Sequence, residues 1–259
     1  MSLAWRASAA LAAALLSACQ SVVRVDPGSP IALDDPRAVE RLDAFREQAA
    51  RRTSLRAAAR LSLVAPGLEL SRPQRLAVQR PASLRIEVLG LFDQVAGIVV
   101  TDGTEFAFVD LASDVRDAGP VHDDLLWRTA RVDLTPSDAV ALLLGVPRLA
   151  ARAEVVAVRQ FEDGGIGVAT RAEHAVRTRW HEWDAAGRLR GAALREPDGS
   201  AVWRARFSNW HRVGRYTFAH RVELEFPRVD AKASILFRAV EPNPILSPGV
   251  FVLQVPPGG

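Results

Sequence analysis

The chain has 259 residues, a formal net charge of +3 and one cysteine, and 49% of its residues are apolar. This length suits one β-rich domain or two small ones and is sufficient for a hydrophobic core. A single cysteine excludes an internal disulfide and a four-cysteine zinc site. Arginines supply all but one of the basic residues and are spread along the chain, whereas a nucleic-acid-binding surface would cluster them. We therefore expect no nucleic-acid partner.

The N-terminal segment has the features of an export signal. Arg6 precedes an apolar run over residues 7–16, which is too short to cross a bilayer as a helix. The run ends in Leu16-Ser17-Ala18-Cys19, which contains the one cysteine of the chain. Small residues before a cleavage point also fit an ordinary secretory signal.

A first helix is predicted where the folded part begins. Asp34 or Asp35 can cap it, and Pro36 suits its first position. An apolar stripe at helical spacing follows, formed by Val39, Leu42, Phe45 and Ala49.

A second, shorter helix is predicted in the middle of the chain. Thr135 caps it, Pro136 and Asp138 suit its first turn, and Gly145 ends it. Its apolar residues, Leu143 and Leu144 among them, fit either a lid over a sheet or an ordinary core helix.

The rest of the chain alternates apolar and polar residues in short runs separated by turn signals such as Asp102-Gly103 and Asp198-Gly199. This pattern predicts a mainly β (α+β) fold, an antiparallel meander of about 10–11 strands with one apolar face. A final run with the same alternation includes Phe251, Leu253 and Val255. The inward-facing residues that we select as candidates for lining a site are Ile86, Val88, Phe106, Phe108, Trp180, Trp203, Phe207, Leu224, Ile235 and Phe237. Each of them also fits plain core packing.

The sequence offers little support for catalysis or metal binding. It contains no Gly-x-Ser-x-Gly turn, no His-Glu-x-x-His and no glycine-rich phosphate loop. The acids beside His122 and His181 are sequence neighbours, which point to opposite faces of a strand, so we assign both histidines to turns or the outer face. We predict no enzyme activity, no metal and no cofactor.

Taken together, the chain resembles the LolA/LolB superfamily of periplasmic lipoprotein carriers. The resemblance is carried by Leu16-Ser17-Ala18-Cys19, which looks like a lipobox, by the N-terminal helix and hairpins, by the insertion over residues 135–147, and by the closing Phe251-x-Leu253-x-Val255-Pro256-Pro257-Gly258. It implies an incomplete antiparallel β-barrel closed by helices, with an apolar cavity for lipoprotein acyl chains and Leu143 and Leu144 in its lid. It also implies a diacylglycerol on Cys19.

The same resemblance implies an organisation, a compartment and partners. Residues 1–18 would be a signal peptide, 19–33 a lipidated N-terminus and linker, and 34–259 the folded domain. Gln20 after the cysteine favours the outer membrane, with the domain facing the periplasm. The expected partners are the membrane through its lipid anchor, lipoprotein acyl chains and a LolA-type carrier, and the expected state is a monomer. A lipoprotein that uses the same fold as a binding scaffold is the alternative.

LolB proteins also carry a protruding hydrophobic loop between two early strands, which is thought to assist insertion of cargo into the membrane. The matching segment is Leu89-Gly90-Leu91-Phe92-Asp93, although it lacks the proline of that loop. Leu91 and Phe92 are therefore candidates for a membrane-insertion tip. Burial at the end of a strand is the alternative for both.

Overall fold

A computed structural model describes residues 27–253, so the predicted signal peptide, Cys19, Gln20 and Val255 lie outside the described residues. The helices are α1 (Pro36–Ala50), α2 (Leu125–Ala130) and α3 (Pro136–Leu143). The strands are β1 (Ser29–Pro30), β2 (Ser54–Ala65), β3 (Leu68–Gln79), β4 (Ser83–Leu89), β5 (Val95–Thr101), β6 (Glu105–Asp110), β7 (Val115–Pro120), β8 (Glu154–Gln160), β9 (Ile166–Arg171), β10 (Thr178–Trp183), β11 (Leu189–Arg195), β12 (Ala201–Val213), β13 (Tyr216–Phe226) and β14 (Ala231–Pro242).

These strands form one open, antiparallel sheet in the order β1-β8-β9-β10-β11-β12-β13-β14-β2-β3-β4-β5-β6-β7. The predicted mainly β, incomplete-barrel fold is confirmed, although residues 27–253 form fourteen strands and not the predicted number of about 10–11. Most sequence neighbours pair as hairpins, and the pairing of β14 with β2 joins the two halves of the chain. Ser29 and Pro30, within the predicted linker, pair with Gln160 and Arg159 of β8.

Helix α1 begins as its capping residues predict. The side chain of Asp35 accepts a hydrogen bond from the Arg37 backbone N–H at 2.9 Å, and Pro36 follows it. Leu42 and Phe45 are buried against the sheet, as expected, but Ala38 is buried where Val39 was predicted, and Val39 is exposed. At the first turn of the helix, the buried face is therefore shifted by one residue from the predicted face.

Helix α3 lies against the concave face of the sheet and is buried on almost every side. Thr135 caps it by accepting from the Asp138 N–H at 3.2 Å, and Gly145 ends it with a φ of +68°, a conformation that glycine adopts without steric penalty. Six of the eight residues of α3 are apolar, counting Pro136. A helix that is apolar all round is stable only inside a core, so α3 is a buried plug as much as a lid.

The end of the described chain packs on the convex face of the sheet. The described part of the predicted final run is not a strand, because residues Pro248–Phe251 form a 3-10 turn instead. The turn lets the Phe251 ring reach Ala77, Val100 and Ala107, with which it forms a small second core. Within residues 27–253, none of the helices is both long and apolar enough to cross a bilayer.

Candidate functional site

An apolar cavity of about 100 Å³ lies between the concave face of the sheet and the helices α2 and α3. Strands β2, β3, β4, β13 and β14 form its wall. Residues that are paired across neighbouring strands point their side chains to the same face of the sheet, and here that face is the concave one. The residues that line it are Leu61, Leu63, Gln74, Leu76, Ile86, Leu126, Ala130, Val132, Leu134, Ala139, Leu142, Leu143, Val222, Leu224, Phe226, Ala233 and Ile235. Sixteen of these seventeen side chains are apolar and none is titratable.

Four of the residues selected from the sequence border this cavity. They are Ile86, Leu224 and Ile235 from the sheet and Leu143 from α3. Leu144 does not border it, because it ends the helix with its side chain buried elsewhere in the core.

Six further candidates share the concave face but lie away from the cavity. Trp203, Phe207 and Phe237 are buried in the main core, where the Phe237 ring meets Phe218 edge-on at 5.3 Å. The other three lie on the β4–β6 part of the sheet and are Val88, Phe106 and Phe108.

The prediction that Trp180 faces inward is wrong, because its side chain lies on the convex face of the sheet. The pairing of β10 with β11 and onward to β13 places His181, and not Trp180, on the same face as Leu224. The Trp180 ring has the guanidinium groups of Arg159 and Arg195 at 5.6 and 5.4 Å from its centroid, a cation–π arrangement. The predicted inward-facing positions of β10 are therefore shifted by one residue from the observed ones.

His181 is correspondingly buried, with 1% of its surface exposed, and is not the outer-face residue predicted. Its ring packs against Phe45 of α1 at 5.1 Å and against Trp183 at 6.0 Å. Burial, together with the neighbouring charge of Arg179, lowers the pKa of His181 to about 4. His181 is thus a neutral core residue at physiological pH, whereas His122 is exposed as expected.

Buried and half-buried arginines fasten the C-terminal end of α3. Arg52, between α1 and β2, donates to the carbonyl oxygens of Leu144 at 3.2 Å and Thr217 at 2.5 Å. Burial lowers the pKa of Arg52 to about 10, so it remains a cation and matches the negative end of the helix dipole. Arg80 donates in the same way to the carbonyl of Val146 at 3.2 Å.

An ion pair fastens the N-terminal end of α3. Asp138, in the first turn of the helix, accepts two hydrogen bonds from Arg179 of β10. Arg148 lies 3.9 Å from the same carboxylate and donates to Ser137 Oγ at 2.8 Å. The plug is therefore held to the sheet at both ends by polar contacts, while its middle borders the cavity.

The β4–β5 loop protrudes. Leu91 and Phe92 are 72% and 100% exposed, so the alternative prediction, burial at the end of a strand, is wrong for both. Phe92 and Asp93 have φ values of 62° and 60°, in the left-handed region that bulky residues rarely adopt. The adjoining β6–β7 hairpin adds two exposed apolar residues, Leu111 and Val115, and the Leu111 N–H donates to the carbonyl of Ala96 in β5 at 2.9 Å.

Sequence reasoning missed much of the cavity wall. Leu61 and Leu63 of β2 alternate in the way that marks an inward face, so they were within reach of the sequence pattern. Gln74 carried no such signal, because it stands in a polar stretch of β3. Among residues 27–253, no group of three or more His, Cys, Asp or Glu side chains could hold a metal ion.

No family model matches the sequence, and no curated protein shows significant similarity to it. Solved structures match over nearly the whole described region at low identity. A domain described as an outer membrane lipoprotein-sorting protein from Vibrio parahaemolyticus matches with a TM-score of 0.53 and 12% identity, over 83% of this chain and 97% of its own.

Two other structures match equally well. A LolA superfamily protein from Nitrosomonas europaea has a TM-score of 0.55 and 9% identity, over 82% of this chain and 97% of its own. A DUF1329 family protein from Desulfovibrio piger has a TM-score of 0.54 and 13% identity, over 84% of this chain and 98% of its own. Likeness at this identity establishes architecture and not activity. The chain therefore has the fold of the LolA superfamily.

Proposed function

We propose that the protein is a lipid-anchored, non-catalytic carrier or acceptor that binds the acyl chains of lipoproteins in its apolar cavity and assists their insertion into the outer membrane. The observation that carries the proposal is the cavity between the sheet and α3, whose seventeen lining side chains include one that is polar. Burial of hydrocarbon there is favourable by about 25 cal/mol per Å². A wall without titratable groups suits binding rather than covalent chemistry.

Binding a long acyl chain requires α3 to move. The cavity measures about 100 Å³, and an engineered apolar cavity of about 150 Å³ accommodates only a molecule the size of benzene. The polar contacts of Asp138 and Arg52 hold the plug at its two ends. We infer that the described conformation is the closed one and that cargo displaces α3 from the concave face.

The proposed membrane-facing side is the end of the sheet that carries the β4–β5 and β6–β7 loops. Leu91, Phe92, Leu111 and Val115 together expose apolar surface at neighbouring hairpin ends, and exposed apolar clusters of this kind mark interaction sites. The proposed diacylglycerol on Cys19 would keep this surface close to the bilayer, since the burial of several acyl chains makes such anchors effectively permanent.

The test is transfer of acylated cargo. The chain starting at Gln20 contains every helix and strand described above and avoids the lipid anchor. It is mixed with a LolA-type carrier loaded with a lipoprotein, and the cargo is followed by affinity separation. We expect the cargo to move to this protein, whereas a folded protein that takes none would overturn the carrier function. Variants of the loop tip at Phe92 should accept cargo but fail to deliver it to vesicles.

A second candidate is a lipoprotein that uses the same fold as a scaffold for another envelope component. The observation that favours it is the degree to which α3 fills the concave face, since seven of its eight residues are buried. A scaffold would retain the plug under all conditions. Hydrogen exchange of the α3 amides separates the two functions, because cargo binding should expose these amides and scaffold binding should not.

A further inference from the structure

Gln74 is the one polar side chain in the wall of the apolar cavity. It lies in the middle of β3, opposite Ala59 of β2 and Val88 of β4, and is 3% exposed. Its Nε2 is buried and has no hydrogen-bond partner among residues 27–253. The amide therefore has donor capacity that neither protein nor solvent satisfies in the closed conformation.

Such a group is costly to keep. A buried amide without a partner is destabilising relative to an apolar side chain of the same size. Every other residue of the wall is apolar, so packing alone gives no reason for an amide there. A donor in a binding cavity that is unpaired when the cavity is empty is explained if the ligand supplies the acceptor.

We propose that Gln74 recognises the carbonyl oxygen of an acyl ester or acyl amide bound in the cavity. This inference rests on the proposed acyl-binding function and makes it more specific. The ligand class has a hydrocarbon chain, which the leucine, isoleucine and valine side chains cover, and one carbonyl acceptor. Gln74 would then distinguish an acylated molecule from plain hydrocarbon and fix how far the chain enters.

The experiment compares two probes that have equal numbers of heavy atoms, methyl dodecanoate and pentadecane. Each displaces the fluorescent reporter 1-N-phenylnaphthylamine from the chain starting at Gln20. The measured quantity is the ratio of ester affinity to alkane affinity, because the ester pays a desolvation cost that the alkane does not. We expect this ratio to be about fivefold higher in the unmodified protein than in Gln74→Leu, the effect of one net hydrogen bond. Gln74→Leu should lose affinity for the ester and retain affinity for the alkane.

Two further variants secure the comparison. Gln74→Met preserves side-chain length and should give the same result as Gln74→Leu. If one of the two variants fails to fold, the other still tests the proposal. Gln94→Leu removes an exposed glutamine on the β4–β5 loop and should keep the ester-to-alkane affinity ratio of the unmodified protein. Both Gln74 variants should also unfold at a higher temperature than the parent protein when no ligand is present, because the unsatisfied amide is gone.

The outcomes separate this inference from the function on which it rests. An ester-to-alkane affinity ratio that is the same in the unmodified protein and in both Gln74 variants would overturn the role of Gln74 and leave the acyl-binding cavity intact. If neither probe displaces the reporter from the folded protein, the acyl-binding function itself fails.

Discussion

Asp138 of α3 and Arg179 of β10 form a two-point ion pair, with Asp138 Oδ1 2.8 Å from Arg179 Nη1 and Oδ2 3.2 Å from Nη2. The carboxylate is almost fully buried, while about a fifth of the arginine side chain is exposed. The pair joins the plug helix to the concave face at the end opposite Arg52. In the proposed carrier function, this pair would resist the displacement of α3 from the cavity.

Removing the arginine of this pair should weaken the closed state. Arg179→Leu leaves the buried Asp138 carboxylate without its hydrogen-bonded partner and with only Arg148, 3.9 Å away, and we expect a loss of about 3 kcal/mol in the free energy of unfolding. Urea unfolding measures it. Arg177→Leu is the matched control, since Arg177 pairs with Glu196 at the surface, and it should change stability by less than about 1 kcal/mol. Equal effects of the two substitutions would contradict a latch at Arg179.

Stability should depend on pH through His181. The pKa of this buried imidazole is about 4 in the folded protein, against an ordinary value of 6.5. Between these two values the unfolded chain binds a proton that the folded chain does not, so stability is complete above the higher value and falls as pH drops towards the lower one. The full loss is about 3 kcal/mol.

Unfolding measured between about pH 7 and about pH 5 isolates this effect, because the carboxylates titrate at lower pH. His181→Phe keeps a ring between Phe45 and Trp183 and should flatten the pH dependence. His122→Phe changes an exposed histidine and should leave the pH dependence unchanged. A slope that persists in His181→Phe would show that other groups cause it.

The tip of the β4–β5 loop should show opposite effects on stability and membrane binding. Phe92 is fully exposed and has a φ of 62°, so Phe92→Gly relieves strain and should raise the free energy of unfolding by about 1 kcal/mol. The same change removes the apolar tip and should weaken binding to anionic phospholipid vesicles. Ile245→Gly is the control, because this exposed residue follows the far end of β14. A Phe92→Gly protein that binds vesicles normally would contradict a membrane role for the loop.

Filling the cavity should block acyl binding without unfolding the protein. Ala139 of α3 borders the cavity, and Ala139→Leu places three additional carbons in this space. We expect the free energy of unfolding to change by less than about 2 kcal/mol. The affinity for a fluorescent fatty acid should fall by roughly tenfold or more. Ala58→Leu, on an exposed position of β2, should leave the affinity unchanged. Unaltered affinity in Ala139→Leu would place the bound chain elsewhere.

The sequence predicts the parts of this fold that local rules determine. Thr135, Pro136 and Gly145 mark both ends of α3, and Asp35 marks the start of α1, because capping depends on a few adjacent residues. Local rules did not predict which residues of β10 face inward. His181 faces inward because α1, distant in sequence, brings Phe45 over it, and polarity alone assigned the opposite face.

The cavity itself was also only partly predictable. Ile86, Leu224 and Ile235 follow from alternation, but alternation cannot tell which inward residues meet α3 and which surround a space. Trp203 and Phe237 share that face and pack solidly in the core. The unpartnered Gln74 depends on contacts across three strands, which no local pattern records.

Acyl binding within the half-barrel is tested most directly by photocrosslinking of a diazirine-labelled fatty acid to the protein, followed by mass spectrometry of the labelled peptides. We expect labels on the inner wall and the plug, with Ile86, Leu142 and Leu143 among the modified residues, and loss of these labels in Ala139→Leu. Labels confined to the convex face, near Phe251 and Val250, would contradict the claim that acyl chains bind within the half-barrel.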